Sequence, residues 1–354
     1  MTRSELFKKF DGRNLDKNAN VLLITHNDMD GSGPVIVLKQ YFKNLTILHV
    51  TNNYMHKAIA KAFEENVYDL YFITDISCDE ETAKRIEDSD IKDKFILLDH
   101  HGTASWLNEY SFAICAQENP TDSFSTEFYN LFDVIGHPSG TSLTLDFMYH
   151  YNLLKRNTFL NHLCFDIECF DTWDWKNVLG NYISAYELNT LFNALGKDEF
   201  DNHFDESIEK LSILKSNHLF KLDENDKPIV EKELLFTELD KMILKIFKTK
   251  VNNYCEEKVS HVNLTEFTFN DRTYKTAFVF SALYITELFE KMEEKYPDIE
   301  IYVIDTGSSY SLRSRKDGIN VGEICKTNGG GGHIQAGGFA HKSKALIDFL
   351  NLFS

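Results

Sequence analysis

Over the first hundred residues, short apolar runs alternate with amphipathic stretches, the pattern of βαβ units around a parallel sheet. Residues 21–25, 45–50, 70–74 and 95–98 read as strands. Between them, 34–42 reads as a helix with Pro34 at its first position, and 54–66 as a second helix. Ser77-x-x-Glu80 reads as a capping box opening a third, through about Asp88. From 138 to 195 the pattern turns helical, with Ser139 or Thr141 as a cap and a helix over 159–170 that runs into Asp171-Thr172-Trp173-Asp174-Trp175. Residues 196–229 are charged and aperiodic, as in a connector. Residues 234–254 recover spacings of three and four at Leu235, Leu239, Met242 and Ile246, predicting a bridging helix. A second α/β unit comes next, with strands at 276–281, 299–304 and 310–313 and a helix at 283–293.

The expected architecture is α/β and two-lobed. It comprises an N-terminal parallel-sheet domain (1–195), a connector with the bridging helix (196–264) and a smaller C-terminal α/β domain (265–354). Open α/β sheets bind ligands beyond the carboxyl ends of their strands. The residues just past three of the strands therefore matter: His26-Asn27-Asp28-Met29-Asp30-Gly31 after the first, Asp75 after the third, and Asp99-His100-His101 after the fourth. Three distant segments deliver acids and imidazoles to one edge of one predicted sheet.

Composition narrows the partners. Lys and Arg total 37 against 55 Asp and Glu, a formal charge of −18, so the chain offers no basic surface for gripping a long duplex. A short phosphate-bearing substrate remains compatible, because divalent cations held by carboxylates reverse the field locally. No run approaches the roughly 18 apolar residues of a membrane helix, and the first residues lack an apolar signal region; a cytoplasmic protein without a membrane partner is expected. The six cysteines form no C-x-x-C pair and read as reduced core thiols.

His26-x-Asp28-x-Asp30-Gly31 reads either as an Asx-rich turn or as a set of metal ligands. A calcium loop fits poorly, since its first and twelfth positions would be His26 and Val37. Mixed imidazole and carboxylate donors favour manganese or zinc over magnesium, and many hard oxygens with two histidines point to manganese. His26, Asp28, Asp30, Asp75, His100 and Asp171 exceed what one open catalytic metal uses, so two ions bridged by Asp75 fit better, as in two-metal sites with ions about 3.5–4 Å apart. Asp166 and Asp174 flank Asp171 and are alternatives to it. Asp99-His100-His101 is either a polar loop or a catalytic segment, with Asp99 orienting a histidine and His101 meeting the phosphate or the leaving oxygen.

Gly329-Gly330-Gly331-Gly332-His333 is either a hinge or an anion-suited loop whose bare N–H groups and imidazole take a phosphate or ribose. Arg313, in Ser311-Leu312-Arg313-Ser314, is either a surface arginine or a bidentate phosphate contact. Trp173, Trp175 and Tyr310 suit either core packing or base stacking.

Taken together, these motifs resemble the DHH phosphoesterases that carry a DHHA1 domain, and the match runs nearly the full length. His26-x-Asp28-x-Asp30-Gly31, Asp75, Asp99-His100-His101-Gly102 and Asp171 resemble the four DHH motifs. Ser311-Leu312-Arg313-Ser314 with Gly329-Gly330-Gly331-Gly332-His333-x-x-Ala336-Gly337-Gly338 is similar to the DHHA1 signature. The resemblance implies two Mn²⁺ ions in a cleft between two lobes, with Mg²⁺ or another divalent ion as the alternative. His26, Asp28 and Asp75 would hold one ion, and Asp30, Asp75, His100 and Asp171 the other. Arg313, Ser314, Gly330, Gly331, Gly332 and His333 would contact substrate. The first motif's spacing looks closer to the RecJ and NrnB branches than to NrnA, and the Asp-Thr-Trp context of Asp171 looks NrnB-like.

The leading expectation is a Mn²⁺-dependent phosphodiesterase that removes mononucleotides from short single-stranded oligonucleotides, RNA foremost, with DNA oligonucleotides and dinucleotides also in range. The alternatives are a cyclic or linear dinucleotide phosphodiesterase, a 3′-phosphoadenosine 5′-phosphate phosphatase and a RecJ-like exonuclease. A non-catalytic nucleotide-binding scaffold and a zinc hydrolase of a non-phosphate substrate stand further off. The reading leaves a homodimer open.

Overall fold

The computed structural model describes residues 2–180, 182–211, 220–222, 228–230, 235–332 and 334–341. Two compact units, Met1–Leu244 and Lys245–Ser354, divide the chain, with the division inside the helix Glu238–Ser260.

The first unit is built on five parallel strands, β1 (Asn20–His26), β2 (Asn44–Val50), β3 (Leu70–Thr74), β4 (Phe95–Asp99) and β5 (Ala113–Cys115), in the order β2-β1-β3-β4-β5. The inner strands are continuously apolar because both faces are covered. Val21, Leu23, Phe72, Ile96 and Leu98 point into one core, while Leu22, Ile24, Tyr71, Ile73 and Leu97 point into the other. The first core is closed by helices α2 (Met29–Lys39), α6 (Gly140–His150), α7 (Thr158–Asp171) and α9 (Ile183–Leu195), and the second by α3 (Met55–Glu65) and α4 (Glu80–Glu87). The short helices α1 (Arg3–Phe7), α5 (Thr126–Asn130) and α8 (Asp174–Asn177) complete the framework. All six cysteines are buried free thiols.

Several expected elements shift, each for a local reason. The helix after β1 begins at Met29 rather than Pro34, because Asp28 caps it by accepting from the Gly31 N–H at 3.0 Å. The helix after β3 is capped by Asp79, which accepts from Thr82, and not by Ser77. The stretch expected as a connector begins as two helices, α10 (Lys197–His203) and α11 (Asp205–Leu211), whose Phe200, Phe204 and Ile208 fill the first core. Beyond them lie two short antiparallel strands, β6 (Phe220–Leu222) and β7 (Pro228–Val230). Leu234 lies outside the described residues. In the helix Glu238–Ser260, Leu239, Met242 and Ile246 are exposed, whereas Leu244, Val251, Cys255 and Val259 are buried. Its buried positions are therefore offset from the apolar stripe read in the sequence.

The second unit is a sheet in the order β12-β13-β11-β10-β9-β8, formed by β8 (Asn263–Phe269), β9 (Arg272–Phe280), β10 (Ile301–Asp305), β11 (Ser309–Arg313), β12 (Gly331–Gly332) and β13 (Ala336–Ala340). Among the described strands of this unit only β9 and β10 pair in parallel, joined through the helix Ile285–Lys295, whose Leu288, Phe289 and Met292 cover Ala277, Val279 and Ile304. No helix among the described residues is long and apolar enough to cross a membrane.

Candidate metal centre

In the strand order 2-1-3-4-5 the crevice for a ligand lies beyond the ends of β1 and β3, where successive connections leave to opposite sides. His26 ends β1, and Asp75 comes directly after β3 in a left-handed backbone conformation (φ +59°) that is costly for a residue with a Cβ. Strain of this kind collects at functional sites, and here it turns a buried carboxylate back over the sheet edge.

The carboxylate of Asp30, in the first turn of α2, is buried and held from across the fold. The backbone N–H groups of Gly140 and Thr141 donate to its two oxygens at 2.7 and 3.0 Å. These belong to the N-terminus of α6, where orphan donors and the helix dipole favour an anion. Glycine is required at 140, since a Cβ there would lie 2.6 Å from the Asp75 Cβ. Gly31 is required as well, because its Cβ would strike the His26 carbonyl oxygen.

Around these anchors the expected ligands meet. His100 Nε2 lies 3.2 Å from Asp75 Oδ1, 3.3 Å from Asp171 Oδ2 and 3.8 Å from Asp30 Oδ2. His26 Nδ1 contacts Asp28 and lies 3.8 Å from Asp75 Oδ2. Asp75 thus faces one histidine with each oxygen. Two trios, His26/Asp28/Asp75 and Asp30/His100/Asp171, each place three donor atoms within 4.8 Å of one another, and the group Asp75/Asp99/His100/His101 does so with four. Asp166 and Asp174 are directed elsewhere: Asp166 accepts from the Ser184 hydroxyl and Asp174 from Tyr129.

Asp99 is fully buried. Its Oδ1 accepts from the backbone N–H of His100 at 2.8 Å and lies 2.7 Å from His101 Nδ1. This pairing orients the half-exposed His101 ring through Nδ1 and leaves Nε2 as the ring nitrogen Asp99 does not engage.

The electrostatics call for a cation. Burial, and then the charges of Asp30, Asp28, Asp171 and Asp99, push the Asp75 carboxyl well above the ordinary carboxylate range. Asp171 is pushed the same way by burial and by Asp30 and Asp28. Burial lowers His100. At His26 burial also works downward, but the hydrogen bond and charge of Asp28 outweigh it and the net direction is up. The hydrogen bond to Asp99 raises His101. Asp75 Oδ2 and Asp99 Oδ2 are buried without a hydrogen-bond partner. Clustered carboxylates with orphaned oxygens and imidazoles beside them form a donor set that suits divalent ions such as Mn²⁺ or Zn²⁺.

In the second unit, Arg313 ends β11, half-buried, and donates from Nη1 to the Leu312 carbonyl at 3.0 Å. Ser314 is buried, and its hydroxyl donates to the Glu300 carbonyl at 2.7 Å, securing the turn after that strand. Gly331 and Gly332 form β12 against Gly338 and Gly337. A Cβ on Gly330 would meet the Gly338 carbonyl oxygen at 2.0 Å, so the glycine run lets two backbones approach closely. His333 lies outside the described residues.

Sequence reasoning missed the supports of the first motif. His49 on β2 bridges the His26 carbonyl oxygen, 2.7 Å from Nδ1, and Asp201 on α10, 3.0 Å from Nε2. Nothing local pairs residues 152 positions apart.

No family model matches the chain. It is 28% identical over 324 residues to the oligoribonuclease NrnB of Bacillus subtilis (strain 168), covering 89% of this chain and 71% of that protein. Among solved structures it is similar to RecJ in complex with Mn²⁺ from Thermus thermophilus, with a TM-score of 0.51 and 12% identity, across 99% of this chain and 53% of that one. That second likeness concerns the fold.

Proposed function

We propose that this chain, 28% identical to an oligoribonuclease and similar in fold to RecJ, is a DHH/DHHA1 phosphoesterase, a divalent-metal-dependent phosphodiesterase that releases mononucleotides from short single-stranded oligonucleotides, RNA foremost. The observation that carries this reading is the meeting of His26, Asp28, Asp30, Asp75, His100 and Asp171 in one cluster, with Asp75 turned to both histidines. In this reading two ions, Mn²⁺ foremost, would be held there, by His26, Asp28 and Asp75 for one and by Asp30, Asp75, His100 and Asp171 for the other. When bound, such ions supply Lewis acidity toward phosphoryl oxygens and an activated water for in-line displacement.

The chain's own residues do the rest. Asp75 is the shared carboxylate, and the backbone N–H groups of α6 fix Asp30 so that it cannot swing away. Asp99 orients His101 through Nδ1, and His101 Nε2 would contact a phosphate or the leaving oxygen. Arg313, the glycine run and His333 are the substrate contacts of this reading. A formal charge of −18 and the likeness to an oligoribonuclease both favour short RNA over long strands.

The test is a time course with Mn²⁺ on 5′-labelled RNA of two and about twenty nucleotides, with an EDTA control. The expected result is rapid cleavage of the dimer, slow cleavage of the long strand and none with EDTA. A ladder on the long strand at an equal or greater rate would make the protein a general single-strand exonuclease, and silence on both would overturn the reading.

A further inference from the structure

We propose that Trp173 and His137 form a nucleotide subsite beside Asp171, with the Trp173 indole stacking a base and the His137 imidazole contacting a backbone phosphate. The inference rests on the phosphodiesterase reading above and deepens it, since a mononucleotide-releasing enzyme needs a hold on the nucleotide next to the bond it breaks.

Trp173 is set in an unusual way. It occupies the turn between α7 and α8 with φ +62° and ψ +10°, a left-handed conformation that glycine or asparagine adopts readily and a bulky aromatic does not. Trp173 is 37% exposed, while Trp175, two residues on, is buried at 6%. A tryptophan kept in a strained turn without reaching the core is poorly explained by packing. Phe170 and Trp175 support it, their ring centroids 6.4 and 6.1 Å away and their planes within 30° of its own. Lys176 Nζ lies 6.0 Å from the indole centroid, bringing a cation to the same edge. The indole is thus held ready as a stacking surface. Asp171, whose carboxylate lies 3.3 Å from His100, is only two residues away, at most about 7 Å of backbone.

His137 reaches the same place from another segment. Its side chain is 58% exposed, yet Nδ1 lies 3.0 Å from Oδ1 of Asp174, a carboxylate that is itself buried. The other oxygen of Asp174 accepts from the His137 backbone N–H and from the Tyr129 hydroxyl, both at 2.9 Å. Gly136 makes this approach feasible, because a Cβ there would penetrate the Tyr129 ring. A buried carboxylate thereby fixes the orientation of an exposed imidazole through Nδ1 and leaves Nε2 outside that pairing. Proteins aim imidazoles at ligands in this way. Three residues further on, Gly140 donates to Asp30, so the loop that presents His137 also clamps the metal cluster. His137 and Trp173 therefore flank Asp174 on the two segments that position Asp30 and Asp171.

The test compares two substrates on the full chain with Mn²⁺: the diribonucleotide ApA, and bis(p-nitrophenyl) phosphate, which carries the same diester and no base. Trp173→Ala is expected to raise KM for ApA about tenfold or more, the effect of losing one stacked base, with a several-fold smaller loss on bis(p-nitrophenyl) phosphate. His137→Ala, which loses a contact to the phosphate both substrates carry, is expected to raise KM for both. Trp173→Phe should restore most of the ApA affinity. The slowly cleaved phosphorothioate analogue of ApA should quench the fluorescence of the wild-type protein and quench Trp173→Phe much less. Equal losses on both substrates in Trp173→Ala, or ApA kinetics unchanged in either variant, would overturn the subsite. A wild-type protein inert toward every phosphodiester would instead sink the phosphodiesterase reading itself.

Discussion

The hydroxyl of Thr141 donates to the main-chain carbonyl of Asp30 at 2.9 Å, filling the acceptor that Pro34 leaves open four residues further along α2. A proline inside a helix removes one i→i−4 hydrogen bond, and here a residue 111 positions away replaces it. The same residue gives its backbone N–H to the Asp30 carboxylate, so one residue repairs a helix and fixes a candidate ligand through two hydrogen bonds. Thr141→Val keeps the shape and removes the donor. It is expected to destabilise the protein by about 1–3 kcal/mol in urea unfolding, with Thr141→Ser recovering most of the loss. A Thr141→Val protein as stable as wild type would show that the carbonyl finds another donor.

Gly140→Ala places a methyl 2.6 Å from the Asp75 Cβ and 3.0 Å from Asp30 Oδ2. Either α6 retreats or Asp75 moves, and a displacement near 1 Å in such a site costs on the order of 10²-fold in rate. Mn²⁺ binding by calorimetry and turnover should fall together. Undiminished Mn²⁺ affinity would separate α6 from the metal cluster.

Asp75→Asn separates two effects of opposite sign. In metal-free protein, burial and the facing carboxylates hold Asp75 above its ordinary range, so ionising it opposes folding. Stability that this group contributes at low pH is lost as pH rises through its raised value. Metal-free Asp75→Asn should therefore unfold at or above the wild-type temperature at pH 8. With Mn²⁺ at a hundredfold excess over Kd the order inverts, because wild type gains about 2.7 kcal/mol from binding and the variant does not. Its turnover should drop to background, and near-normal activity would remove Asp75 as the shared ligand.

Glu168 offers a pH signature away from the ligands. Fully buried on α7, it accepts from Asn119 Nδ2 at 3.0 Å, and burial pushes its carboxyl up to about 8 from 4.5. The folded state keeps this proton while the unfolded chain gives it up. Stability from Glu168 is therefore full below about 4.5 and lost as pH climbs toward about 8, at up to ~1.4 kcal/mol per pH unit. Urea midpoints between those values should fall less steeply in Glu168→Gln, and parallel slopes would contradict the assignment.

Arg3 is almost wholly buried, donating from Nε to Asp146 at 3.2 Å and from Nη2 to Asn119 at 2.9 Å. Removing one member of a buried ion pair strands the other, a loss of about 3–5 kcal/mol. Arg3→Ala should show that loss in urea unfolding, and pairing it with Asp146→Ala should recover part of it. A loss below about 1 kcal/mol would mean that water reaches Asp146 in the variant.

The inner strands β1, β3 and β4 were legible because a strand covered on both faces writes its burial as an unbroken apolar run. The three residues of β5, and α10 with α11, were not: the first is too short to carry a period, and the latter bury Phe200, Phe204 and Ile208 within a charged stretch. The apolar stripe at Leu239, Met242 and Ile246 misled for a related reason, since spacing cannot say which side of a helix meets a core.

The local order of residues carried the candidate ligands, because a side chain just past a strand must emerge at that strand's end whatever the rest of the chain does. His26, Asp28, Asp30, Asp75, Asp99, His100 and His101 were readable on that ground, and Asp171 from its place at a predicted helix end. Their supports belong to the packed fold alone. Asp30 meets Gly140 across 110 positions, His49 meets Asp201 across 152, and Asp174 meets His137 across 37. Such pairs depend on how helices seat on the sheet. Seating is a sum of many apolar contacts spread along the chain, and no short stretch of residues encodes it.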